Sequence, residues 1–298
     1  MPRKNGGRPT RPHDAPVRRE SPRPGERAPE PEAPRGAAAR SRPRAPATRE
    51  RSTTPQSSRV SIARALSKLG VCSRAEGERL VAAGRVRVDG RIVRELGHRV
   101  HPERDVIEVD GARVGRAERV YLALNKLRGH VTTRDDPQGR PTVYASLEAA
   151  TLPFVAPVGR LDRASEGLLL LTNDSQWAAR LLDPAAHVDK TYHVQVRAVA
   201  DEALIARIAA GVTESSSGER LAVKAVTVLR VGSRSSAWLE IVLDEGKNRH
   251  IRRLLHALDV EVLRLVRVAI GPLTLGELPK GAWRLLTPAE VRALSRSR

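Results

Sequence analysis

An aspartate set between two arginines is the first place in this chain where chemistry could reside. In Gly159-Arg160-Leu161-Asp162-Arg163, running on through Ser165, Glu166, Gly167 and the Leu168–Leu171 block to Thr172-Asn173-Asp174, the carboxylate stands at a turn that feeds an apolar strand. Taken alone, R-L-D-R is ordinarily a solvated turn with a surface ion pair of little worth. In a chain of formal charge +19, an acid held between guanidinium groups on a rigid edge suggests a charged catalytic acid working on a polyanion. Two further clusters have the same character. Lys190-Thr191-Tyr192 opens a strand with one of only three tyrosines. Glu245-Gly246-Lys247-Asn248-Arg249-His250-Ile251-Arg252-Arg253-Leu254 leaves a strand, turns at the glycine and enters a helix with four Lys/Arg cations from Lys247 to Arg253. Cations at a helix start oppose its dipole, so a sequence that tolerates them there keeps them for anions.

These clusters need a frame. From Arg119 onward the pattern predicts strands over Val120–Asn125, Val194–Val199, Ala222–Arg230, Trp238–Leu243 and Val262–Val268, with helices over Asp201–Ala210 and His250–Leu258. Strands with interrupting helices, without regular βαβ alternation, give an α+β fold class: a mixed or antiparallel sheet domain over 119–292. Glycine-rich dinucleotide, P-loop and nucleophile-elbow motifs are lacking, so nucleotide cofactors and serine-hydrolase chemistry gain no support.

A smaller unit precedes it over 59–112. Ile62, Ala65, Leu66 and Leu69 recur at helical spacing until Gly70. Ser73 with Glu76 forms a capping box for a second helix, which Gly84 ends. Val86-Arg87-Val88-Asp89-Gly90-Arg91-Ile92-Val93 is a hairpin about an Asp-Gly turn, and a later strand ends at Asp110-Gly111. Arg64, Lys68, Arg74, Arg85 and Arg87 stand out from this small α/β unit; singly each suits a solvated face, and as a set they suit phosphates along a structured RNA. The 113–119 segment is expected to act as a linker on which this unit moves.

Composition narrows the partners. Residues 1–58 hold 12 of the 21 prolines, no aromatic residue, and 14 basic against 6 acidic residues, a net of +8. With so little apolar surface to bury, this Pro/Arg-rich tail is expected to be disordered and to add salt-sensitive RNA affinity. The remaining residues still carry about +11. Apolar runs fall short of the ~20 residues a membrane span needs. Met1 and its basic neighbours lead into no apolar signal core, and one cysteine allows neither an intrachain disulfide nor a cysteine metal cluster. A cytoplasmic, metal-free, polyanion-binding protein is expected.

Together, GRLDRASEGLLLLTND, DKTYHVQV, EGKNRHIRRLL and the closing stretch from Ile270-Gly271-Pro272 to Gly281-Ala282-Trp283-Arg284-Leu285 resemble the bacterial ribosomal pseudouridine synthases, the RsuA/RluB-like family. Residues 60–110 resemble the small RNA-binding module named after a small-subunit ribosomal protein. The resemblance implies conversion of a uridine in ribosomal RNA, or in a ribosome-assembly intermediate, to its carbon-linked isomer by a monomer without cofactor. It implies Asp162 as the essential acid, either nucleophile at the anomeric carbon or base at the 2′ position. Arg252 is implied as its guanidinium partner, with Lys247 the second choice. An adjacent guanidinium can lower a carboxylate pKa by about 1–3. Tyr192 is implied to stack on the base and assist proton removal from carbon 5, and Arg160 to brace the space the extruded nucleotide leaves. Arg163, Lys190, Asn248, Arg249 and Arg253 complete the implied RNA contacts.

Large-subunit RNA is favoured over small-subunit or transfer RNA. The reading from another class is a non-catalytic RNA-binding or ribosome-assembly factor. Two positions depart from the family pattern: Leu127 follows Asn125-Lys126 where proline is usual, and His250 stands where glutamine or glutamate is common, which would add a titrating group.

Overall fold

The computed structural model describes residues 59–296 apart from 149–150, 216 and 233–235; the tail expected over 1–58 lies outside the described residues. In the small unit, the Ile62–Lys68 helix buries Ile62, Ala65 and Leu66 and leaves Arg64 and Lys68 exposed. Gly70, at φ +77°, makes the left-handed turn that ends it. The Arg74–Ala82 helix starts where Ser73 Oγ accepts the Glu76 N–H at 3.1 Å. Asp89 and Gly90 both have positive φ, as a two-residue hairpin turn requires. That hairpin joins Ile107–Val109 and Ala112–Arg113 in a four-stranded sheet, closed over a core that includes Ile62, Leu66, Val81, Val86 and Ile107.

The segment expected to be a free linker is tied down. Ala117 N–H donates to Leu69 O at 3.0 Å, Arg119 pairs with Asp174 at 3.3 Å, and the Asn173 amide bonds both Glu118 O and Val120 N–H. The reason is local: a half-buried asparagine side chain takes up two backbone groups of this segment.

Residues 121–285 form one nine-stranded mixed sheet. Its strands lie in the order Ala225–Val231, Ala237–Leu243, Lys190–Arg197, Glu261–Ile270, Glu166–Thr172, Tyr121–Lys126 and Trp283–Leu285, with Ala156–Val158 and Leu273–Thr274 as side pairings. All pairings are antiparallel except that of Glu166–Gly167 with Val266–Arg267, which is parallel. The α+β expectation holds. Strand ends shift: Lys190–Arg197, opened by Lys190-Thr191-Tyr192 as expected, stops two residues before Val199, and Glu261–Ile270 runs two residues beyond Val268.

Tyr121–Lys126 differs in kind. A strand covered on one face alone would alternate, yet every residue from Leu122 to Lys126 is buried. Both faces of the sheet are covered at this point. Ala123, Leu168 and Leu170 pack with Trp177 and Leu294 on one side, and Leu122, Leu124, Leu169 and Leu171 with Val143 and Leu161 on the other. Beyond the parallel pairing, the Glu202–Ala210 and His250–His256 helices cover one face over Val194, Leu239 and Leu265. Among the described residues, no helix is long and apolar enough to cross a membrane.

Candidate active site

The loop that carries Asp162 is stapled from beneath. Thr132 Oγ1 donates to Leu161 O at 2.7 Å, Gly129 N–H donates to Arg163 O at 2.7 Å, and Ser165 N–H closes a turn onto Asp162 O at 2.9 Å. Under this turn lies Lys126, only 1% exposed. Its ammonium donates to the carbonyls of Leu127 (3.0 Å), Asp162 (3.1 Å) and Ser165 (2.8 Å). Three donors meet three acceptors, so the cation is fully used in holding the loop. Burial pulls its pKa down to about 8, against the opposing attraction of Asp162 and Glu166.

A cavity of about 570 Å³ opens above the loop, a volume within the usual range for a small-molecule site. It brings Asp162, Tyr192 and Arg252 together, the three residues singled out for catalysis. Arg160, Lys190, Lys247, Asn248 and Arg249 line the same cavity. Tyr192 comes from the strand next to Glu261–Ile270, just past a register shift between Thr191 and Tyr192. Arg252 reaches from the short helix to the Ala164 carbonyl at 3.1 Å. Burial and the nearby Arg249 charge draw its pKa down, while Asp162 raises it. Arg252 and Asp162 thus sense each other electrostatically, although among the described residues no ion pair joins them within 4.0 Å. Arg249 holds a left-handed conformation, φ 49°, at the entry to that helix, a strained backbone for a side chain other than glycine and the kind that clusters at working sites.

Other expected contacts lie elsewhere. Arg163 is exposed on the outer side of the loop. Arg253 is clamped by Glu214 and Glu219 at 2.6 and 2.7 Å, a pairing with carboxylates more than 30 positions away that local reading does not reveal. Arg85 is paired with Asp110. Arg64, Lys68, Arg74 and Arg87 are exposed on the small unit.

Two residues of the site were missed. Lys126 had a readable signal, a lysine ending a strand of apolar character. Arg267, 6% exposed and lining the cavity, had none, since Arg264-Leu265-Val266-Arg267 reads as an ordinary half-exposed strand.

Lys126→Met is expected to slow the chemical step at least about tenfold, because three carbonyls lose their donor, and the buried one, Ser165 O, alone costs about 1–3 kcal/mol when left unpaired. Single-turnover rates beside thermal melts would show it; an unchanged rate would mean the loop is held by its backbone turn alone. The wild-type rate should also decline as pH rises past about 8, when the ammonium loses one donor. Unfolding would not explain such a decline. The unfolded chain keeps this proton up to about 10.5, so stability rises with pH between those values.

His250 is buried beside Glu245, whose Oε1 lies 3.5 Å from Nδ1. Burial lowers the imidazole pKa from the usual 6.5, and Glu245 opposes only part of this. The unfolded chain therefore binds this proton more readily, and stability falls as pH drops below about 6.5. Replacing the imidazole by a group that does not titrate, His250→Gln, should narrow the gap between urea midpoints at pH 7.5 and 5.5; an unchanged gap would assign the acid sensitivity elsewhere.

The sheet, the small basic unit and the acid-tyrosine-arginine cavity define an enzyme that acts on RNA, and comparison agrees. A model described as RNA pseudouridylate synthase matches residues 120–257, and an S4-domain model matches residues 62–107. The chain belongs to the RNA pseudouridine synthase family and is an isomerase of uridine in RNA. It is 38% identical to an uncharacterized RNA pseudouridine synthase of Aquifex aeolicus, over 79% of this chain and 93% of that one. It is 36% identical to ribosomal large subunit pseudouridine synthase B of Bacillus subtilis, over 76% and 91%. A crystal structure of a pseudouridylate synthase superposes with a TM-score of 0.56 at 27% identity, covering 79% of this chain and 99% of the other.

Proposed function

We propose that this synthase isomerises one uridine of large-subunit ribosomal RNA, with Asp162, Tyr192 and Arg252 as its chemical centre. The observation that carries the reading is their convergence in one cavity of nucleoside size, rimmed by Lys247 and Arg249. The relatives named for large-subunit RNA support the choice of substrate.

In this reading the target nucleotide leaves its stack, at a cost of a few kcal/mol that phosphate contacts offset. Arg160, exposed at the cavity edge, braces the gap. The uracil stacks on Tyr192. Asp162 engages the ribose, as nucleophile at the anomeric carbon or as base at the 2′ position, with Arg252 in the same cavity. Carbon 5 then replaces N1 on the ribose, and Tyr192 assists loss of the carbon-5 proton. The 59–112 unit and the 119–292 unit act as separate domains in this scheme. The small one grips RNA through Arg64, Lys68, Arg74 and Arg87, and the protein works as a cytoplasmic monomer.

Pseudouridine mapping of large- and small-subunit RNA tests this, using cells with and without the gene, complemented by wild type or Asp162→Asn. The expected result is one large-subunit site lost and restored by wild type alone. A site lost in small-subunit or transfer RNA would reassign the substrate. No lost site in any RNA would favour the non-catalytic assembly factor.

A further inference from the structure

We propose that Arg267 donates a hydrogen bond to a carbonyl oxygen of the target uracil and stabilises the negative charge that builds on that base as its bond to ribose breaks. The inference rests on the catalytic reading above.

Arg267 lies opposite Tyr192 in the register of neighbouring strands and lines the same cavity as Asp162. Its Nε donates to Leu168 O at 2.7 Å, which fixes the guanidinium. Its Nη2 is buried and has no hydrogen-bond partner, and among the described residues no carboxylate pairs with it within 4.0 Å. A buried charged donor left unpaired is costly. Two cations close to Arg267 have partners of their own, and Arg252, whose buried Nε also lacks one, spends Nη2 on the Ala164 carbonyl. Lys126 has spent its donors on three carbonyls, and Lys190 reaches back to Asp244 O at 3.4 Å. Both feel the Arg267 charge as a repulsion that adds to the effect of burial on their pKa values. An acceptor, and better an anion, is what this point of the cavity lacks.

The reaction supplies one. When the C1′–N1 bond breaks, its electron pair stays on the uracil and spreads over N1, O2 and O4. Carbon 1′ is meanwhile bonded to an Asp162 oxygen, or joined in a double bond to carbon 2′ after Asp162 takes the 2′ proton. The C5–C1′ bond then forms as the Asp162 ester breaks or as its proton returns to carbon 2′. The carbon-5 proton leaves and N1 gains one, so the product is an isomer with no atom added or lost. A base entering edge-first beside Tyr192 presents O2 or O4 to the buried floor, whereas its phosphate stays nearer the mouth. A fixed donor aimed at developing charge acts most strongly where water is excluded.

The experiment is a double-mutant cycle on the mapped RNA fragment carrying uridine, 2-thiouridine or 4-thiouridine at the target, since sulfur accepts hydrogen bonds poorly. Arg267→Gln is expected to lower the single-turnover rate about 100-fold with RNA affinity within about threefold. One of the two sulfur substitutions should slow wild type about tenfold more than it slows the variant. Additive effects at both positions, or a wild type indifferent to both sulfurs, would overturn the proposal. If Arg267→Gln does not fold, Arg267→Lys enters the same cycle, and the wild-type sulfur sensitivity stands as a test in either case. Asp162→Asn on the uridine fragment separates the two readings. Its continued activity defeats the catalytic assignment, whereas its inactivity beside an additive Arg267 cycle defeats only this inference.

Discussion

Asp162→Asn should form no detectable pseudouridine on saturating RNA, a loss of at least about 10⁴-fold in single-turnover rate, while RNA binding is unchanged or tighter. The amide is the same size as the carboxylate. The backbone bonds that hold the loop, from Lys126 to Asp162 O and from Ser165 N–H to the same oxygen, involve no side-chain atom of residue 162. The fold should therefore survive, and a melting temperature within a few degrees of wild type would show that it has. An amide can neither attack the anomeric carbon nor take the 2′ proton, so both mechanistic routes close together. Removing one negative charge from a phosphate-binding groove also relieves a repulsion, hence the direction expected for affinity. Turnover within tenfold of wild type would remove Asp162 from the mechanism.

Gly167→Ala should prevent folding or destabilise the protein by about 4 kcal/mol or more, at the far end of single-substitution effects. Gly167 has φ +97°, where an L side chain is strained whatever the space. Space is also lacking: a Cβ there would stand 2.2 Å from Arg267 O and 2.9 Å from Arg267 N. The obstruction is backbone within the parallel pairing of Glu166–Gly167 with Val266–Arg267, so relief requires breaking that pairing. Soluble expression and urea denaturation would measure the effect. A variant that melts like wild type would show that this contact adjusts easily. The same close approach bears on Arg267, whose backbone position is fixed by it.

The residues that meet in the cavity were legible because each sits in a short segment of its own. Asp162 lies between arginines, Tyr192 opens a strand, and Arg252 follows a turn; each segment of a few residues carries its own signal. Helix stops at Gly70 and Gly84 and the Asp89-Gly90 turn were legible for the same reason, since they depend on local backbone conformation. What was hidden depends on neighbours distant in sequence. The full burial of Leu122–Lys126 needs cover on both sheet faces, supplied by residues as far away as Leu294. Arg253 belongs to Glu214 and Glu219 only once two loops meet. Arg267 shows its role only beside Tyr192 and Leu168, from strands about 75 and 100 positions earlier.

The nine strands look continuous in outline, but they are two plates butted together at a joint of two residue pairs, Val266 with Glu166 and Arg267 with Gly167. Asp162 is carried by one plate, and Tyr192 belongs to the other, as does the helix bearing Arg252. Among the described residues, three guanidinium rivets cross the joint: Arg264 to Glu166 at 2.7 Å, Arg267 to Leu168 O, and Arg252 to Ala164 O. The spacing between acid and tyrosine is therefore a property of the joint rather than of either plate. Loosening a rivet such as Arg264, which does not itself line the cavity, is expected to alter how the two halves of the proposed site meet.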